Sequence, residues 1–389
     1  MTTRTVLHGA LLATAIGLVA ANALAEAPGV SAGKIVFGQA AAFEGPAAAL
    51  GNNMKLGIDA AFAEANAAGG VNGRQLSVVR YDDSYEPDKS VSATRKLIEE
   101  DKVFALIGPV GTPTTLVTQP IATAAGVPFI GPFTGAGFLR KPENANVINV
   151  RATYDQETEA WVEYLTTTKK AQKIAILYQD DGFGRVGLAG VQKAMDKRGL
   201  KLVAEATYPR NTTAVKSAVV DLRKADPDAI VMVGAYKPIA EFVKLSRKLK
   251  MDPTFITISF VGSEALAAEL GADGAGVIIS QVVPFPFDSG IPVVASYQKA
   301  LAAVDASAKP GFGSLEGYMV GRLTVEGLKT AGADVTRESF LKAIYDTGAF
   351  DLGGASMKFG AGDNQGMESV YLTEIQADGS FRAIGSSTN

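Results

Sequence analysis

The chain has 389 residues, 47% of them apolar, and a formal charge of −3. That length exceeds what one hydrophobic core usually serves, so two domains are expected. Neither charge sign forms a long run, which excludes the fields that hold nucleic acid or anionic lipid.

In chain order, residues 1–25 read as a secretory signal. Arg4 supplies the positive start, Ala10–Ala21 the apolar stretch, and Ala23-Leu24-Ala25 the small-residue site before Glu26. The only histidine, His8, falls in this segment, and the chain has no cysteine. Cleavage therefore leaves no imidazole and no thiol. That excludes His-based and Cys-based nucleophilic sites, His-ligated zinc, thiolate metal centres and disulfides. No catalytic residue, metal or cofactor is assigned, and the chain reads as a binder, not an enzyme. No later apolar run reaches the roughly 18–20 residues of a membrane helix. The expected product is free in a bacterial periplasm, with no cysteine to carry a lipid.

Beyond the signal, short apolar strands alternate with longer segments of helical period. Strands are expected at 35–38, 76–81, 103–107 and 127–130, with helices at 54–67, 88–99 and 116–125 between them. Asp88 reads as an N-cap, and Gly69-Gly70 as a helix stop. The rhythm restarts after Val150. Helices are expected at 156–167, 186–198, 215–225 and 239–249, with strands at 173–178, 202–207, 229–233 and 255–259. The tail is less regular. Helices fit 293–304, 318–331 and 340–345, and strands 370–375 and 381–384 flank the turn Ala377-Asp378-Gly379. Apolar strands separated by helices imply parallel sheets, here in two runs. The acidic group Asp82, Asp83, Glu86 and Asp88 lacks the spacing of a calcium loop and reads as a solvated loop. No phosphate-loop motif occurs.

The residues resemble the periplasmic solute-binding proteins of ABC importers, in the leucine/isoleucine/valine-binding branch. Phe43-Glu44-Gly45-Pro46, Ala67 to Arg74 and Tyr81-Asp82-Asp83 carry the likeness, followed by Ile107-Gly108-Pro109-Val110-Gly111-Thr112 and Gly126 to Ile130. Asp180 to Gly184 and Gly234-Ala235-Tyr236 complete it, in order over nearly the whole mature chain. The resemblance implies an α/β protein with two doubly wound parallel-sheet lobes, a three-crossover hinge and a ligand cleft. Lobe 1 would take 26–152 and 283–368; lobe 2 would take 153–282 and 369–389.

Ligands of open parallel sheets sit beyond the carboxyl ends of strands, near helix N-termini. Thr112 follows such a strand, and its hydroxyl suits a carboxylate; as a bare position it equally suits a helix cap. The resemblance assigns ligand contact to Thr112 and extends it to Phe43, Val110, Phe133, Thr134, Gly135, Phe183, Tyr236 and Ser259. Ser259 stands where amino-acid binders keep the acid that pairs the ligand's ammonium. Glu44, Asp181 and Glu264 are possible substitutes, each expected to face solvent. The ligand therefore reads as a small carboxylate, either an amino acid or an aromatic or aliphatic acid. The implied partner is an ABC permease, and the protein is expected to be a monomer with no nucleic-acid partner. A sensor presenting solute to a receptor kinase would need the same cleft. No motif supports a hydrolase. A repressor of similar fold is opposed by the signal and by the lack of a basic N-terminal helix pair.

Overall fold

The computed structural model describes residues 27–388. The expected signal lies outside them. Strands β1 (Lys34–Ala41), β2 (Gln75–Asp82), β3 (Ala105–Ile107), β4 (Phe129–Ile130) and β5 (Val147–Ile148) form the first sheet. Its order is β2-β1-β3-β4-β5, and every pairing is parallel. Helices α1 (Ala48–Ala67), α2 (Pro87–Glu99) and α3 (Thr112–Ala124) connect these strands.

The second sheet takes β6 (Ile174–Gln179), β7 (Ala204–Tyr208), β8 (Ala229–Val233), β9 (Thr254–Thr257) and β10 (Ile278–Gln281). Helices α4 (Tyr154–Thr167), α5 (Gly182–Asp196), α6 (Lys216–Lys224), α7 (Tyr236–Lys248) and α8 (Ser263–Leu270) alternate with them. All five residues of β8, Ala-Ile-Val-Met-Val, are buried, as a parallel strand covered on both faces requires. On α7 the buried positions include Tyr236, Ile239, Ala240 and Val243, one stripe of a 3.6-residue period.

Helices α9 (Pro292–Val304), α10 (Phe312–Ala331) and α11 (Arg337–Thr347) follow, then a small hairpin of β11 (Ala349–Asp351) and β12 (Ser356–Lys358). Helix α10 packs along α1, which joins it to the first lobe. A Cβ on Gly57 would lie 1.9 Å from the Ser314 carbonyl, and one on Gly317 would lie 2.3 Å from that of Met54. Glycine at both positions lets the two backbones touch. Last come β13 (Val370–Ile375) and β14 (Phe381–Thr388). They extend the second sheet, β13 antiparallel to β10 and β14 antiparallel to β13, giving the order β14-β13-β10-β9-β8-β6-β7.

The chain thus crosses between lobes three times. The first and third crossings run side by side: Gly366 N–H donates to Asn149 O (2.8 Å) and Met367 N–H to Val150 O (3.0 Å). Ala152, Val282 and Val370, one from each crossing, form a small apolar cluster with Ala160 of α4. Among the described residues, no helix is long and apolar enough to cross a membrane.

Several local details differ from the sequence reading. Helix α2 starts at Pro87, with Glu86 and not Asp88 at the cap position, because proline suits the first helical position; the Glu86 side chain makes no capping bond and pairs with Arg210 instead. Helix α3 starts at Thr112, four residues ahead of its apolar period. In its opening Thr-Pro-Thr-Thr turn the Thr114 and Thr115 hydroxyls donate to the Gly111 carbonyl, while no side chain caps the first amides. Strands β5 and β10, helix α8 and the β11–β12 hairpin are additional elements.

Candidate functional site

The loops after β3 and β4 lie together at the carboxyl edge of the first sheet. Val110 and Phe133 form a parallel bridge. Beyond them the hydroxyls of Thr112 and Thr134 are 2.7 Å apart and buried. Gly111 precedes α3 with φ 105°, and no side chain caps the helix. Thr112 is therefore the first residue of α3, with its side chain turned to Thr134 and not to the helix's own amides.

Arg151, on the first crossing, is the largest charged group enclosed here, 1% exposed. Its Nη2 donates to the Ser259 hydroxyl. Nε lies 3.3 Å from Glu316 Oε1 on α10, and the guanidinium stacks 4.6 Å from the Phe133 ring centre. Neither Nε nor Nη1 has an aligned hydrogen-bond partner. The Tyr154 hydroxyl, three residues further on, is buried close to the Thr112 and Thr134 hydroxyls but makes no aligned hydrogen bond. Two unsatisfied polar groups buried near each other are a costly arrangement that an incoming ligand can relieve.

The surrounding charges favour an anion. Burial pushes the Glu316 carboxyl up to about 7 although Arg151 opposes the shift. Burial, then Arg151, pulls Arg140 down to about 9. Arg140 is held by the carbonyls of Thr134 (3.1 Å), Ala136 (3.0 Å) and Arg151 (3.2 Å). The raised Glu316 carboxyl weakens its pairing with Arg151.

An acid does occupy the neighbourhood of Ser259, from an unexpected element. Glu157 on α4 accepts from the Ser259 N–H (2.9 Å), the Ser259 hydroxyl (2.9 Å) and the Ser280 hydroxyl. Those three donors already satisfy it.

Phe260 closes the cleft. It follows β9 in lobe 2 and is fully buried. Its ring centre lies 5.9 Å from Tyr85 and 5.4 Å from Phe133 of lobe 1, and 4.8 Å from Phe183 of lobe 2. Phe183 in turn meets Tyr154 at 5.5 Å.

Among the anticipated contacts, Val110, Thr112, Phe133, Thr134, Phe183 and Ser259 converge around Arg151 and Phe260. Gly135 stands beside them, but a Cβ there would meet the Tyr154 ring at 2.6 Å, so its smallness admits Tyr154. Phe43 lies apart, its N–H bonded to Asp82 (2.8 Å). Tyr236 meets the start of α1, its hydroxyl 3.5 Å from Ala49 N, and packs against Gly262. Arg151, Tyr154, Glu157 and Phe260 are central and were absent from the expected contacts. The signal available for Phe260 is its place directly after Ser259 at a strand's carboxyl end.

The acidic loop is a structural joint, not a solvated turn. Asp83 is buried and accepts from the Tyr85 N–H (2.8 Å) and the Ser90 hydroxyl (2.7 Å). Burial pushes its carboxyl up to about 6. Glu86 takes Arg210 (2.8 Å) and Asn211 (2.7 Å) from lobe 2. Among the described residues, no group of acids or histidines is placed to hold a metal ion. Of the acids expected in solvent, Glu44 is exposed. Asp181 instead caps α5 through the Phe183 N–H (2.9 Å) and meets Arg210 (3.2 Å), and Glu264 is half-buried.

Two α/β lobes, three parallel crossings and a polar cluster enclosed between the lobes define a hinged solute-binding protein. The chain belongs to the periplasmic binding protein family, whose pattern it matches over residues 34–380. It is 28% identical to the Leu/Ile/Val-binding protein BraC3 of Rhizobium johnstonii over 348 residues, 86% of this chain and 88% of that one. It is 25% identical to an amino acid binding protein of Pseudomonas aeruginosa, where the alignment spans 61% of this chain and only 63% of the relative. Among solved structures, a possible leucine/isoleucine/valine-binding protein from Rhodopirellula baltica is 36% identical with a TM-score of 0.87. That match covers 91% of this chain and 97% of the other. These relatives carry the names of binding proteins, in keeping with the family to which this chain belongs.

Proposed function

We propose that the protein captures a small carboxylate-bearing solute in the periplasm and delivers it to the membrane subunits of an ABC importer. Secretion would follow removal of residues 1–25, and the working unit would be a monomer. The lobes, taken as 26–152 with 283–368 and 153–282 with 369–389, would close about the three crossings.

One observation carries the ligand class: Arg151 Nη1 and the Tyr154 hydroxyl are buried without partners beside the Thr112–Thr134 pair. A carboxylate placed there would accept from Arg151, Tyr154 and a threonine hydroxyl, with the positive end of α3 behind it. Phe133, Phe183 and Phe260 would supply an apolar wall for the rest of the molecule. Glu157 already accepts three hydrogen bonds, which leaves it little capacity for an ammonium. This favours 2-oxo, aromatic and aliphatic acids over amino acids. Ligand contacts made from both lobes would stabilise the closed form.

A thermal-shift panel of amino acids, 2-oxo acids and aromatic acids tests this reading. A ligand at about 100 times its Kd should add roughly 2.7 kcal/mol. No response to any carboxylate would overturn it.

A further inference from the structure

A half-open cavity lies between the lobes and shares no residue with the Arg151 site. It is a cavity of about 1100 Å³ bounded by α1 and the start of α10 on one side, and by α8 and the β13–β14 turn on the other. Its apolar wall is built by Leu56, Phe285, Phe287 and Phe381. Phe287 stacks on Phe381 at 6.1 Å, and Phe285 meets Phe287 at 5.2 Å. Phe287 is nevertheless 42% exposed, although it heads an aromatic group that could be buried.

Glu264 brings charge into this wall. Its Oε1 accepts from the Phe312 N–H at 2.8 Å, the first amide of α10. Its Oε2 is enclosed with no hydrogen-bond partner. Burial raises its carboxyl above the ordinary range. Lys309 also borders the cavity but forms no ion pair with Glu264 among the described residues. A buried carboxylate oxygen lacking donors, beside aromatic faces, is matched by an ammonium on an apolar body.

We propose that this cavity is a second ligand site, selective for a small aryl or alkyl amine whose ammonium meets Glu264 Oε2 and whose body lies on the Phe285, Phe287 and Phe381 rings. Its chemistry is opposite in sign to that of the Arg151 site. Because both lobes and the second crossing form its walls, occupancy would also favour closure.

The test is calorimetric titration of the full mature protein with 2-phenylethylamine and, as the uncharged control, 2-phenylethanol. Saturable one-to-one binding of the amine is expected, with the alcohol weaker by about tenfold or more. Glu264→Gln keeps the acceptor for Phe312 and should weaken the amine by a similar factor, about tenfold. Phe287→Ala, at a partly exposed ring, should also weaken it while folding normally. Thr112→Ala should leave it unchanged, which separates this site from the carboxylate site. No saturable amine binding, equal binding of the alcohol, an unaffected Glu264→Gln variant, or loss in Thr112→Ala would each overturn the proposal.

Discussion

Arg210 of lobe 2 donates from Nη2 to Glu86 of lobe 1 at 2.8 Å, while its Nη1 reaches Asp181 at 3.2 Å. One guanidinium therefore ties the two lobes at the mouth of the cleft, and Asn211 adds a bond to the Ser84 carbonyl at 3.1 Å. Both ends of the pair are partly exposed, so its worth is modest: about 0.5–1 kcal/mol. Arg210→Ala should weaken solute binding by a factor of about two to five. The loss should shrink as salt rises, since salt already screens the pair in the parent protein. Titration at low and high ionic strength checks this. An equal loss at both would show that Arg210 acts by packing alone.

Thr112→Ala removes one hydroxyl from the polar end of the cleft. Affinity for the best carboxylate should fall by about 1–3 kcal/mol. The single tryptophan, Trp161, lies on α4 next to the hinge residue Ala160, so its fluorescence offers a readout of closure. Unchanged affinity would move the carboxylate away from α3.

Two buried acids give stability a pH dependence. Asp83 is pushed up to about 6 and Glu316 to about 7, with burial the main cause in each. A raised carboxyl favours the folded state when protonated. Its contribution is complete below the unfolded value near 4 and is lost as pH rises through the folded value. The melting temperature should therefore fall between about pH 4 and pH 7, with each group contributing up to about 3 kcal/mol. Glu316→Gln should flatten the upper half of this profile. A melting temperature that is level over the range, or a variant with the parent slope, would contradict the assignment. Carboxylate affinity should strengthen as pH falls, because protonated Glu316 leaves Arg151 freer to bind.

Phe260 is fully buried and touches rings from both lobes. Phe260→Ala should cost about 3–5 kcal/mol of stability by opening a cavity. The space gained should shift preference toward bulkier acids on the same panel. Loss of stability without any change in preference would confine Phe260 to a packing role.

Much of this architecture is legible in the sequence because its signals are local. The all-apolar run of β8 and the buried stripe of α7 announce themselves by period. Thr112 and Thr134 are recognisable because each follows the carboxyl end of a strand. Strand β5 is two residues long and offers no period. Arg151 is a single charged residue on a crossing, and its partner Ser259 lies 108 residues away. Glu157 sits inside an ordinary capping-box helix start, where an acid reads as a favourable dipole contact. Its role follows only once α4 is packed beneath β9 and β10. Tyr236 illustrates the same limit: a hydroxyl-bearing aromatic at a strand end points to ligand contact, and the sequence does not announce its reach across to Ala49 N on the first turn of α1 (3.5 Å).

The most direct measurement is a crystal structure of the protein with the tightest carboxylate from the panel. The account predicts a ligand carboxylate oxygen about 2.7–3.0 Å from Arg151 Nη1 and from the Thr112 or Tyr154 hydroxyl. A ligand bound with its carboxylate elsewhere, leaving Arg151 and Tyr154 without partners, would contradict it.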